Sequence, residues 1–211
     1  MKKFAVYFKR ALILTLILLV CCSVIYPLIL TGLGNLFFHR QANGSLIEMD
    51  GKYVGSELVG QEFTSDKYFH GRISSVNYNT YTEEEKEDGT YSGVSSGSFN
   101  YAPTNEELQQ RVEEDVEEFK EKYKDATGQA FLGGIPADLL TASGSGLDPH
   151  ISPESAEVQI PIVAANSGLT EDEVKEIVEQ NTEHKVLGIF GEEKVNVLKC
   201  NIAIAESIGE R

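Results

Sequence analysis

The chain has 211 residues, three cysteines and a formal net charge of -15. Four basic groups and no acid lie in the first ten residues, so the remainder carries a net -19, which excludes nucleic acid as a partner. Once a membrane segment is set aside, the length suits one packed core and is small for two.

Ala11 to Leu33 contains no Lys, Arg, Asp, Glu or His. A helix over this stretch reaches roughly 35 Å against a hydrocarbon core of about 30 Å, so the sequence predicts one transmembrane helix. A cleaved secretory signal fits poorly, because the apolar run is too long and lacks a small-residue cleavage site. Cys21 and Cys22 raise a lipoprotein reading, but Val20 stands where a small residue is required and apolar sequence continues through Leu30. Lys2, Lys3, Lys9 and Arg10 precede the span, whereas only His39 and Arg40 closely follow it. The positive-inside rule therefore predicts residues 1–10 in the cytoplasm, a helix over 11–33 and residues 34–211 outside. Pro27 lacks an N–H and frees the carbonyl of Ser23, which predicts a kink that either shapes a surface for a neighbouring helix or is simply tolerated.

The fold class expected beyond the span is a single α+β domain. Ser45 to Val59 reads as short strands around turns at Asp50-Gly51, Gly55 and Gly60. Residues 77–97, with acids from Glu83 to Asp88, read as an exposed, mobile loop. Leu108, Val112, Val116, Phe119 and Tyr123 predict an amphipathic helix over 104–123, opened by a Thr104/Glu107 capping box and closed by Gly128. Ser152-Pro153 opens another helix, which Pro161 should shorten or kink. A third begins at Thr170 with Glu173 in capping-box spacing. The β-branched run from Lys194 to Ala205 reads as a strand, with the element after Cys200 left open. Only Cys200 lies beyond the span, so no disulfide forms within the domain.

Several clusters invite a chemical reading. Gly144-Ser145-Gly146 resembles a phosphate-cradling loop without the lysine of a P-loop, and Gly133-Gly134 lacks dinucleotide spacing. Ser143, Ser145, Asp148 and His150 supply the residue types of a hydrolase triad, but no G-x-S-x-G elbow surrounds either serine. The four histidines are scattered, which argues against a metal site. His70-Gly71-Arg72, after Tyr68 and Phe69, reads equally as an exposed recognition loop or as a turn packed by its aromatics.

Taken in order, Tyr26-Pro27, Gln41 to Leu46, Gly55-Ser56 through Gly60 to Phe63, and Tyr68 to Arg72 form one set of marks. Asp138 to Ser143, Ser145 to Asp148, Ile151 to Pro153, Gln159 to Pro161, and Val195 to Leu198 with Asn201 complete it. Across nearly the whole chain these segments resemble the C subunit of the Kdp potassium-transporting P-type ATPase, the KdpC family. Ile162 stands where that family usually has arginine, Ser96 to Asn100 departs from a glycine-rich stretch, and Glu83 to Asp88 looks like an insertion.

The resemblance implies a non-catalytic subunit in the cell membrane, joined to a potassium-conducting A subunit, an ATP-hydrolysing B subunit and a small F subunit, and in contact with membrane lipid. Within the matching segments Pro27, Gln61, Phe63, Phe69, His70, Arg72 and Asp148 are the candidate partner contacts. It further implies a catalytic chaperone that raises the pump subunit's affinity for ATP. No cofactor is expected to bind tightly, and ATP enters only through a transient complex with that subunit. A free-standing membrane-anchored binding module is the alternative from another class.

Overall fold

The computed structural model describes residues 2–89 and 93–210. The chain forms two compact units, one ending at Leu46 and the other beginning at Ile47. In the first, α1 (Lys2–Val20), a π-helical turn (Cys21–Ile25) and α2 (Tyr26–Phe37) make one apolar helix long enough to cross a membrane. Among the described residues its apolar window is not buried, and the expected span over 11–33 lies inside Lys3–Phe37. The π turn sits immediately before Pro27, where the Tyr26 amide donates to the Cys21 carbonyl. This wider bond spacing lets the helix pass a residue that has no amide hydrogen. A single turn, α3 (His39–Ala42), follows, with the Asn43 side chain donating to the His39 carbonyl at 2.7 Å.

The second unit is α+β. It opens on the hairpin of β1 (Leu46–Met49) and β2 (Lys52–Ser56), turned by Asp50 and Gly51 at φ 51° and 77°. Two consecutive positive φ values match the twist of a two-residue hairpin turn, which explains the Asp-Gly pair. After a 3-10 turn at Asn77–Asn79 comes α4 (Glu83–Glu87), inside the stretch expected to be an irregular mobile loop. Thr82 and Glu85 form a complete capping box there, and three glutamates in the first turn suit the positive end of the helix. The stretch is also tied at its base. The Asn79 amide bonds both main-chain groups of Ser95, and Ser75 Oγ donates to the Gly97 carbonyl. Within the 77–97 loop expectation, residues 90–92 lie outside the described residues.

The helix expected over 104–123 is α5 (Glu106–Thr127), ending at Gly128 in the left-handed conformation. Its cap is Asn105, whose side chain accepts from the Leu108 amide, and not the expected Thr104. Asn is among the best N-cap residues, and one residue of shift gives it the start. A short α6 (Ala137–Leu140) leads to β3 (His150–Ile151) and then α7 (Pro153–Ser167), capped by Ser152 with Pro153 in its first turn. Of the two outcomes expected at Pro161, shortening does not occur: α7 runs 15 residues through it. The face carrying Ala156, Ile160, Val163 and Ala164 is buried, and that packing offsets one missing helical bond. The Thr170–Glu173 box opens α8 (Glu171–Gln180) as expected.

β4 (Thr182–Glu183) and β5 (Lys194–Asn196) complete a three-stranded antiparallel sheet of order β3-β5-β4, pairing Ile151 with Val195 and Thr182 with Val195. Only three residues of the expected strand over 194–205 are extended; Val197–Ile208 is α9. Asn196 caps it, and Val197, Cys200, Asn201 and Ile204 are buried at helical spacing, so tertiary burial overrides β-branched propensity. Cys200 is free and fully buried, and burial pushes its thiol up to about 12.

Helix α7 packs on α5 and α8, while α9 packs on α8 and β5. Phe69, which belongs to no regular element, is fully buried among these helices. The Asn201 side chain accepts from the Phe69 amide at 2.8 Å and donates to its carbonyl at 2.9 Å. Replacing it by the near-isosteric Asn201→Leu strands both buried groups at ~1–3 kcal/mol each. Urea unfolding of the full chain in detergent should show a loss of about 3 kcal/mol, and a loss under about 1 kcal/mol contradicts the pairing.

Candidate functional site

Of the seven candidate contacts, Pro27 stands alone in the first unit and six fall in the second. The segment from Tyr68 to Ile73 organises them. Directly after the Asn201 clasp of Phe69, Gln159 treats the next residue in the same way. Its Oε1 accepts from the His70 amide at 2.9 Å and its Nε2 donates to the His70 carbonyl at 3.3 Å. Two buried amides, one on α9 and one on α7, thereby hold consecutive residues of a loop. Phe63 stacks obliquely against Tyr68, with ring centroids 6.1 Å apart. Gln61 is turned instead toward the hairpin, donating to the Val54 carbonyl at 3.0 Å. The segment is thus the turn packed by its aromatics. Phe69 has no exposed surface, whereas His70 and Arg72 keep part of theirs.

Arg72 reaches Asp148 across this turn, Nη1 to Oδ2 at 3.3 Å, and Nη2 donates to the Ala142 carbonyl. Asp148 Oδ1 accepts from the His150 amide at 3.0 Å. Burial pushes the Asp148 carboxyl up, but the His150 hydrogen bonds and the Arg72 charge together hold it below its ordinary value. Beneath Arg72, the Tyr78 hydroxyl donates to its carbonyl at 2.5 Å, and burial with Asp148 nearby pushes that phenol up to about 12. Tyr78 is one of three consecutive residues with positive φ, held by the Ser74 hydroxyl accepting from its amide. Gly60 passes so close that an added Cβ would lie 2.5 Å from the Asp148 carbonyl. These contacts fix the orientation of Arg72 and Asp148.

The serines are committed in the same sense. Ser143 Oγ accepts from the Gly146 amide and Ser145 Oγ from the Leu147 amide. The amides that a phosphate would require are already given to these hydroxyls. Gly146 itself, at φ 67°, meets Val76 and the Gly97 carbonyl within 2.9 Å of any added Cβ. The loop is a packing joint between residues 74–76, 97 and 143–147. Asp138, which the sequence offered only as part of a matching segment, proves to be a clamp on the start of α7. It accepts from the Ser152 amide at 2.8 Å, the Ser152 hydroxyl at 3.1 Å and the Ser155 hydroxyl at 2.5 Å. Burial raises its carboxyl, yet these bonds outweigh it and hold the group low.

Beside His70 lies a cavity of about 170 Å³. Its wall combines the apolar Leu139, Leu140, Ile162 and Val163 with the charged Asp66, Asp115, Glu118 and Lys122. Ile162 thus lends this wall a hydrocarbon surface. Arg111 pairs with Asp115 at 2.6 Å, but burial still raises the Asp115 carboxyl. Lys122 lies 3.3 Å from Asp66, whose Oδ1 is also 3.3 Å from His70 Nε2. Burial and the Lys122 charge lower the His70 pKa against the pull of Asp66.

A lowered histidine pKa means that the unfolded chain binds this proton first. The contribution of His70 is therefore complete above the ordinary value of about 6.5 and is lost as pH falls through the lowered one. Asp138 and Asp148 act in a separate window, below the usual carboxylate value of 3.8. Unfolding free energy measured between pH 7 and 5 should fall with a slope that His70→Gln diminishes; an unchanged slope contradicts the assignment.

The sequence matches the family model described as KdpC, the K+-transporting ATPase c chain, over residues 8–206. Potassium-transporting ATPase KdpC subunits are similar along nearly their full length. That of Clostridium kluyveri is 53% identical over 201 residues, covering 95% of this chain and 94% of the relative. That of Clostridioides difficile is 52% identical over 206 residues, covering 95% and 97%. The subunit of Caldanaerobacter subterraneus is 44% identical over 200 residues, covering 95% of each. On this breadth of similarity, the chain belongs to the KdpC family.

Proposed function

We propose that this chain is an accessory, non-catalytic subunit of an ATP-driven potassium uptake complex, stabilising the assembly and tuning its pump cycle. The observation that carries the reading is the family match over residues 8–206, supported by one helix, among the described residues, that is long and apolar enough to cross a membrane. One helix cannot enclose an ion path, because replacing the hydration shell of potassium takes a ring of oxygen ligands. Conduction then belongs to the A subunit and ATP hydrolysis to the B subunit, with the small F subunit as a further neighbour. The arrangement of charges around the helix favours a cytoplasmic N-terminus and an extracytoplasmic α+β unit, with the helix in contact with membrane lipid.

The chaperone role means raising the pump subunit's affinity for ATP. With ATP inside the cell and the α+β unit outside, the effect has to pass through contacts that favour one state of the pump over another. The helix carrying Pro27 and its π turn is the segment able to transmit it, through neighbouring membrane helices. No tightly held nucleotide is required on this chain; ATP takes part only in a transient complex with the pump subunit.

Two measurements test the proposal. Coupling energies of the usual size predict that a complex lacking this chain needs ~5-fold or more ATP for half-maximal hydrolysis, and that adding the chain back restores the requirement. An unchanged requirement contradicts the chaperone role. For sidedness, a membrane-impermeant thiol reagent should label Glu85→Cys in intact cells and Lys3→Cys only after lysis; the reverse pattern contradicts the orientation.

A further inference from the structure

The loop joining β4 to β5 carries the most concentrated apolar surface of the second unit. Val186, Leu187, Ile189 and Phe190 are 65%, 84%, 76% and 64% exposed within a single turn. Isolated exposed apolar residues are ordinary, but a contiguous group marks an interaction site. This tip is also rigidly built. Val186 and Phe190 pair across it, with the Val186 amide donating to the Phe190 carbonyl at 2.8 Å and the Phe190 amide to the Val186 carbonyl at 3.0 Å. The Gly188 amide closes onto the Lys185 carbonyl at 3.0 Å. Leu187 adopts φ 56° at the apex, a conformation that costs a leucine energy and that the surrounding bonds impose. Below the tip, two ion pairs and a histidine–carboxylate contact join the two arms: Lys185 with Glu192 at 3.2 Å, Lys194 with Glu183 at 3.0 Å, and His184 Nδ1 beside Glu193 Oε1 at 3.0 Å.

The geometry points to this tip as a docking knob for another polypeptide of the transport complex, one that offers a concave apolar socket with a rim more basic than acidic. The inference rests on the proposed membership of such a complex and goes beyond it by naming the surface. Two observations favour a protein socket over a bilayer. A loop that enters lipid gains from a basic collar facing anionic headgroups, whereas this collar sets two lysines against three glutamates on a chain of net charge -15. Lipid also accepts any apolar shape, so a strained and tightly bonded apex brings it no advantage. A protein socket rewards that shape, because the ordering cost is met before binding. Four apolar side chains at the apex supply the kind of central, fully desolvated anchor that dominates binding energy at interfaces.

The test is photocrosslinking in the assembled complex. Ile189→Cys is introduced with Cys21→Ser and Cys22→Ser, and a thiol-reactive benzophenone is attached; the buried Cys200 stays unmodified. Illumination should join the chain to another subunit. Adding Leu187→Asp should reduce that adduct about tenfold or more without changing the melting temperature, the loss of one anchor being worth at least one decade of affinity. If the chain copurifies with the complex and the probe labels only lipid, only a second copy of the chain, or nothing, the inference falls alone. A chain that fails to copurify overturns the complex reading and this inference with it.

Discussion

Two side-chain amides hold the second unit in register. Residues 68–72 are half-buried outside any named strand, with Phe69 fully buried, and buried main-chain groups without partners are expensive. Asn201 pairs both main-chain groups of Phe69 and Gln159 pairs both of His70, so a buried loop is bonded as though it were a strand between α7 and α9. Phe69 can then fill the centre of the core while Arg72, three residues on, is delivered to Asp148. The His70 cavity, the Tyr78 turn and the close approach of Gly60 all stand on that placement.

The same economy governs the polar residues that look chemically capable. Asp138 clamps Ser152 and Ser155 at the start of α7, Asp148 anchors both Arg72 and the His150 amide, and Ser143 and Ser145 close a turn. In the role proposed for this chain, holding and biasing a larger machine, stiffness at the contact surfaces serves better than reactive groups. Carboxylates locked by amides and hydroxyls provide that stiffness. The exposed Val186 to Phe190 apex, propped by two ion pairs and the His184–Glu193 contact, applies the same principle at the surface.

Local chemistry was the legible part of the sequence. The apolar stretch, the Asp50-Gly51 turn, the Ser152-Pro153 start and the Thr170–Glu173 box each carry their signal within a few residues, and each forms as read. Misreadings arose where neighbours in space outweigh neighbours in sequence. Val195 to Ile204 has strand composition but helical burial, and Pro161 sits in a helix held by packing on both sides. The Thr82–Glu85 box was written plainly in the acidic run but hidden by its resemblance to a solvated charge cluster. Among the candidate contacts, Arg72 and Asp148 do meet, but the matching segments alone do not say so. The amide clasps were illegible because Asn201 and Phe69 are 132 positions apart and Gln159 and His70 are 89 apart. The apolar apex had a readable signal, four large apolar residues around Gly188 between charged pairs, that drew no reading of its own.

Amide hydrogen exchange at Phe69 and His70, followed in the full-length chain in a lipid nanodisc, tests the central constraint most directly. If both amides are bonded inside the core by Asn201 and Gln159, they exchange only through global unfolding, as slowly as the best-protected amides of α7 and α9. Exchange at the rate of an exposed loop, with α7 and α9 still protected, would show that the segment is not clasped and would contradict the account.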